Sequence, residues 1–292
     1  MIGALGRVFL LWGLLMGLLS VPTEAQLRKN KPKPKPRPLV ESQLSIEIGQ
    51  LLAEAHALQA KYKDSEALAK YEQVLAKAPS AYEALWQAAV LSVRIGARYT
   101  DDTRKMAYFS AARLYSSRAL VVRPEGAEGN YAEALALANQ ATLLTARGRL
   151  LVYKEMKPYV FKAVEQRPEF ADAWQLLGRW HYRVAHYNML ERLYSQLFLG
   201  GTPSGASSQA AINALTIACQ LNPKEIQYLY DLARVHLNRG QHSQATMVLQ
   251  KAVAITPMTA EELEISRRCR NLLEQLNRKR LRQEKRSVRK TQ

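Results

Sequence analysis

AWQLLGRWHYRVAHYN, residues 173–188, reads as a helix with a glycine near its centre. Glycine inside a helix costs about 1 kcal/mol against alanine, so Gly178 calls for a reason. Trp174, Leu177 and His181 follow at i, i+3 and i+7 and share one helical face with it. A glycine on that face predicts a second element pressed close against the helix, and the nature of that neighbour decides the fold.

The neighbour emerges from the rest of the chain. From Glu41 onward apolar residues recur with helical period, without a strand pattern, and isolated prolines interrupt them. Five of these, Pro79, Pro124, Pro168, Pro223 and Pro257, each follow a Val or Ala placed five residues earlier: Val74, Ala119, Ala163, Ala218 and Ala252. Their separations are 45, 44, 55 and 34 residues. The last is the period of the tetratricopeptide repeat, and the others exceed it by insertions. The final unit carries the pattern unbroken. Leu229, Leu232, Ala233 and His236 lie on a first helix, Gly240 at the turn, and Ala245, Leu249, Ala252 and Pro257 on a second, which is similar to the tetratricopeptide consensus. One unit earlier, Trp174, Leu177, Gly178 and His181 supply the first helix, and Ala211, Leu215, Ala218 and Pro223 the second. Gly178 then marks a close crossing of two antiparallel helices, with Ala211 expected opposite.

The first unit reads Leu51, Ala55, Leu58, Ala67, Tyr71, Val74, Pro79, and the second Leu85, Ala89, Ala112, Ser116, Ala119, Pro124. The third carries Pro158 inside its second helix, where a kink is expected. Thr259 to Glu262 has the spacing of a capping box and opens a last helix that would cover the stack. The expected fold is all-α: a tetratricopeptide-like superhelix (α–α solenoid) of about five repeats with some extended helices and a C-terminal capping helix. It would span residues 41–277, after a signal segment at 1–25 and a linker at 26–40, and before a basic tail at 278–292.

The insertions narrow the resemblance. Gly178, Trp180 and Tyr182 match a GxWCY opening, and Leu197, Phe198 and Pro203 a Leu-Phe-Gly/Ala-x-Pro-Pro turn, both found in the regulator of microtubule dynamics family. The chain resembles that family over roughly residues 45 to 276, with His181 in place of the usual Cys and one proline in place of two. The resemblance implies the helical-repeat fold and, as one functional alternative, a role in microtubule dynamics.

Charge is unevenly placed. The net charge is +17, but residues 28–37 hold +6 and residues 278–292 hold +7, which leaves the remainder at +4. A basic groove through the folded body, and with it specific nucleic-acid binding, is not indicated. Arg7, the fourteen-residue apolar run Val8 to Val21, and Thr23-Glu24-Ala25 have the layout of a secretory signal cleaved after Ala25. The run falls short of the ~20 residues that span a bilayer. A periplasmic or secreted protein is expected, and the alternative is an uncleaved signal holding it to the inner membrane. KNKPKPKPRP, residues 29–38, has proline at every second position from Pro32, a polyproline II spacer of about 25 Å.

Catalytic signatures are absent from the sequence: it has no HExxH, no P-loop and no GxSxG. His181 and His236 share a repeat position that is normally aromatic, so packing is expected rather than metal ligation, while His56, His186 and His242 lack partners at ligand spacing. Cys219 and Cys269 both fall in expected helices and read as small core residues, with a disulfide as the alternative if the chain is exported. No cofactor, metal or enzymatic activity is expected. First-helix polar positions would line the concave side: Asp172, Gln175, Arg179 and Arg183 in the fourth unit, and Gln227, Tyr230, Arg234 and Asn238 in the fifth. Arg179 and Arg234 recur at one repeat position, as suits a groove gripping a carboxylate-bearing peptide; the alternative is that they only solvate a helix face. The expected function is a protein-interaction scaffold. An alternative is an envelope-surface adaptor whose basic flanks bind anionic lipid or polymer.

Overall fold

A computed structural model describes the backbone of residues 39–291 and the side chains of residues 43–283. The apolar run, the expected cleavage site after Ala25 and the proline-rich spacer lie outside the described residues, as do the side chains at the end of the basic tail. The helical stack forms one compact unit, Leu44–Gln292.

Twelve helices are described: α1 (Leu39–Ala60), α2 (Asp64–Lys77), α3 (Tyr82–Arg98), α4 (Asp102–Val122), α5 (Ala127–Gln140), α6 (Ala146–Gln166), α7 (Ala171–Ala185), α8 (Met189–Phe198), α9 (Ser208–Leu221), α10 (Ile226–Asn238), α11 (His242–Val253) and α12 (Ala260–Thr291). A 3-10 turn, Ala141–Leu143, follows α5, and no strand occurs among the described residues. Helices pair as α1/α2, α3/α4, α5/α6, α7/α9 and α10/α11, with α8 inserted in the fourth pair and α12 packed on α10 and α11. This is a tetratricopeptide-like solenoid of five units and a cap.

Proline punctuation sets the unit length. The residue before a proline is pushed out of the α region, and Ala78, Arg123, Arg167 and Asn222 all sit near ψ 83 to 88° as the caps of α2, α4, α6 and α9. The residues twelve, eight and five places before each proline form the seam that first helices bury. Ala67, Tyr71 and Val74 begin the series, Met156, Val160 and Ala163 fill it in the third unit, and Ala245, Leu249 and Ala252 end it, none more than 1% exposed. α6 continues through Pro158 to Gln166, since that proline stands on the exposed side of the helix.

Gly178 is where the opening stretch meets this seam. A Cβ there would stand 2.6 Å from Leu215 Cγ and 3.2 Å from the Ala211 carbonyl oxygen. The close neighbour is thus the Leu215 side chain with the Ala211 backbone, rather than Ala211 alone, because α9 crosses α7 with its larger residue over the glycine. Trp180, fully buried beside it, donates from Nε1 to the Tyr153 carbonyl at 2.8 Å and meets Phe161 edge-on at 5.3 Å.

The last helix begins as its sequence suggests, with one difference. Glu262 N–H donates to Thr259 Oγ1 at 3.1 Å, but the Glu262 carboxylate reaches past Thr259 to accept from Met258 N–H at 2.6 Å. α12 then runs unbroken to Thr291, so the basic tail continues the capping helix. None of the described helices is long and apolar enough to cross a membrane.

Candidate partner-binding site

First helices of neighbouring units touch along the inner layer. Gln59 donates to Gln87 (α1 to α3, 2.9 Å), Gln175 to Asp231 (α7 to α10, 2.5 Å), and Tyr228 to Asp172 across the same two helices. The Tyr228 hydroxyl is held well above the usual phenol pKa by burial and by the Asp172 carboxylate.

These contacts sort the residues expected to line a groove. Gln175 is buried and committed to Asp231, so it braces the layer instead of facing a ligand. Arg183 is committed as well: its Nη2 lies 2.5 Å from Glu191 Oε1, and its guanidinium sits over the Tyr153 and Tyr187 rings at 5.8 and 5.1 Å. Glu191, opening α8, is held below the usual carboxylate range chiefly by that hydrogen bond. Asp172 is taken by Tyr228, and the Gln227 N–H by the Glu225 side chain at the α10 N-terminus.

Arg179 and Arg234 remain. Both are exposed and neither forms an ion pair among the described residues. Together with Tyr153, Tyr182, Arg183, Asp231 and Val235 they line one cleft of about 190 Å³. Arg234 also sits over the Tyr230 ring at 5.6 Å and borders a second hollow with Tyr230, Asn238 and Leu272. The paired clefts bring Arg179, Arg183, Tyr230, Arg234 and Asn238 into one run. A volume below the ~300 Å³ of typical small-molecule pockets suits single side chains of a larger ligand. Tyr153 and Tyr182 were not legible as lining residues. Tyr153 comes from the second helix of the preceding unit, and no repeat spacing marks it.

His181, His236 and the two cysteines are packed, whereas His56, His186 and His242 are exposed. His181 is buried against Phe161 and Trp180, and desolvation with Lys157 nearby lowers its pKa; its Nδ1 has no hydrogen-bond partner. His236 Nδ1 lies 2.7 Å from Gln241 Oε1. Cys219 and Cys269 are unpaired, and burial pushes their thiols up to about 12 and about 11. No group of three or more His, Cys, Asp or Glu among the described residues is arranged to hold a metal.

A solenoid of tetratricopeptide-like helix pairs with an inserted helix in its fourth unit is the class that fold and inner layer define. A family model described as regulator of microtubule dynamics protein 1-3 matches residues 51–277, and the chain belongs to that family. Regulator of microtubule dynamics protein 3 of Mus musculus is 31% identical over 108 residues, covering 36% of this chain and 23% of that protein. Regulator of microtubule dynamics protein 1 of Caenorhabditis elegans is 24% identical over 119 residues, 41% of this chain and 52% of that one. The chain thus spans about half or less of these relatives' own length. Among solved structures, a thermophilic tetratricopeptide-repeat protein of Thermus thermophilus aligns with TM-score 0.56 at 18% identity, over 77% of this chain and 98% of that one, a likeness of fold.

Proposed function

We propose that the protein is a non-catalytic interaction scaffold whose inner layer holds an acidic segment of a protein partner. The observation that carries this reading is the pairing of Arg179 and Arg234 in one cleft without acidic partners of their own. Two guanidinium groups on successive first helices can fork onto carboxylates of one extended ligand. Asp231 lines the same cleft and accepts from Gln175, but it forms no ion pair with either arginine, and two guanidinium groups outnumber its one carboxylate. Capture of partners from native extract by the full chain should fall sharply in Arg179→Glu/Arg234→Glu and survive deletion of residues 278–292. Loss only in the deletion, with strong salt dependence, would instead assign recognition to the basic flanks and anionic lipid or polymer.

Family membership favours a second reading, in which the chain acts on microtubules as the names of its relatives state. Cosedimentation with polymerised tubulin tests it, and a full chain left in the supernatant removes it. Export belongs to the first reading: the mature chain is expected to begin at Gln26 by mass spectrometry, whereas an intact Met1 in the membrane fraction favours the anchored form.

A further inference from the structure

Helix α8 is inverted. Its polar residues Glu191 and Ser195 are 8% and 1% exposed, packed toward the protein, while Met189, Leu190, Leu193, Leu197 and Phe198 point outward at 88, 77, 53, 67 and 68%. Met189, Leu193 and Leu197 fall in one column at spacings of four, and Leu190 and Phe198 in the next with Tyr194 between them, so they form one apolar face. With Ala146 and Leu150 of α6, Leu190, Leu193, Leu197 and Phe198 border a groove of about 480 Å³. Soluble surfaces scatter single apolar side chains, and a contiguous face of this kind marks a docking site.

Charge identifies the occupant. Arg147, Arg149, Lys154 and Arg192 lie around the face, and none forms an ion pair among the described residues. Arg147 lies over the Tyr194 ring at 5.4 Å; Lys154 donates to the carbonyl of Leu199, and Arg192 to those of Tyr187 and Ala185. Of the carboxylates on these two helices, Glu155 and Glu191 are paired with Arg113 and Arg183, and Glu165 lies at the opposite end of α6 from Ala146 and Leu150. An outward apolar helix face ringed by cations of one sign matches a bilayer with anionic headgroups, where the side chains enter the acyl boundary and the cations meet phosphate.

We infer that α8 is a membrane-docking helix that seats the solenoid on an anionic lipid surface, through a face separate from the Arg179–Arg234 cleft. The full chain should float with phosphatidylcholine vesicles containing phosphatidylglycerol and much less with phosphatidylcholine alone. Leu190→Glu/Leu193→Glu/Phe198→Glu should weaken that binding about tenfold or more with an unchanged melting curve, since these side chains are exposed. A nitroxide attached through Leu193→Cys, in a Cys219→Ala/Cys269→Ala background, should gain oxygen accessibility on the anionic vesicles. Equal flotation of wild type and triple variant, with an aqueous nitroxide, would overturn the inference, because binding would then lie in other segments. So would a wild-type dimer that the triple variant dissociates, which would assign the face to protein.

Discussion

Gly178→Leu would drive a side chain into Leu215, whose Cγ lies 2.6 Å from the position of a Cβ. The expected loss is about 1 to 3 kcal/mol or more, read from thermal or denaturant melts. His181 gives a pH test. Its folded pKa is lowered, so the unfolded chain takes up the proton first; this contribution to stability is complete above the usual value of 6.5 and is lost as pH falls from there toward the folded value. His181→Phe should flatten the fall of stability with pH in that window. At this scale the sequence was legible where a residue breaks a local rule, as Gly178 does inside a helix. It did not show which atoms press on that residue, because spacing places a Cα and not the side chain opposite. Gly96 on α3 is pinned in the same way, with Tyr108 Cβ at 2.7 Å, but it falls at no repeat position and nothing in the pattern marked it.

Helices in this fold are tied by a few buried charges as well as by their apolar seam. Glu133 on α5 is 1% exposed; it accepts from Arg113 Nε and Nη2 of α4 at 3.0 and 2.8 Å and from Ser116 Oγ at 2.5 Å. Arg113→Met leaves a buried carboxylate without its cation and should cost about 3 kcal/mol, and adding Glu133→Gln should recover much of it in denaturant unfolding. The start of α8 is held by a reciprocal capping box between Asn188 and Glu191. Asn188→Ala should destabilise by about 1 kcal/mol. Periodicity located the repeat helices because proline and the buried seam recur, but α8 lacked that signal: its apolar face points away from the protein, and a pattern search assumes the opposite.

The ends of the solenoid meet. Arg98 at the end of α3 pairs with buried Asp64 and with Glu261 in the first turn of α12, both at 2.5 Å. Arg94 holds the other Asp64 oxygen at 3.1 Å. The Arg98–Glu261 pair is more than a third exposed on both sides, so Glu261→Lys should change global stability by no more than about 1 kcal/mol. Amide exchange in the first turn of α12 and the last turn of α3 should nonetheless quicken, while α7 stays protected. No sequence feature announced this contact, since a repeat pattern reports only neighbours.

That clasp has a consequence for the order of assembly. Arg98 and Glu261 are 163 residues apart, and closing a loop of that length in a flexible chain costs about 4 to 5 kcal/mol of entropy. An exposed ion pair returns about 1 kcal/mol at most. The contact therefore forms only once the intervening repeats are stacked and hold the two residues near each other. Donor and acceptor dyes set across it would stay dark through the growth of the array and light up at its last event, so the clasp acts as a completion signal for folding.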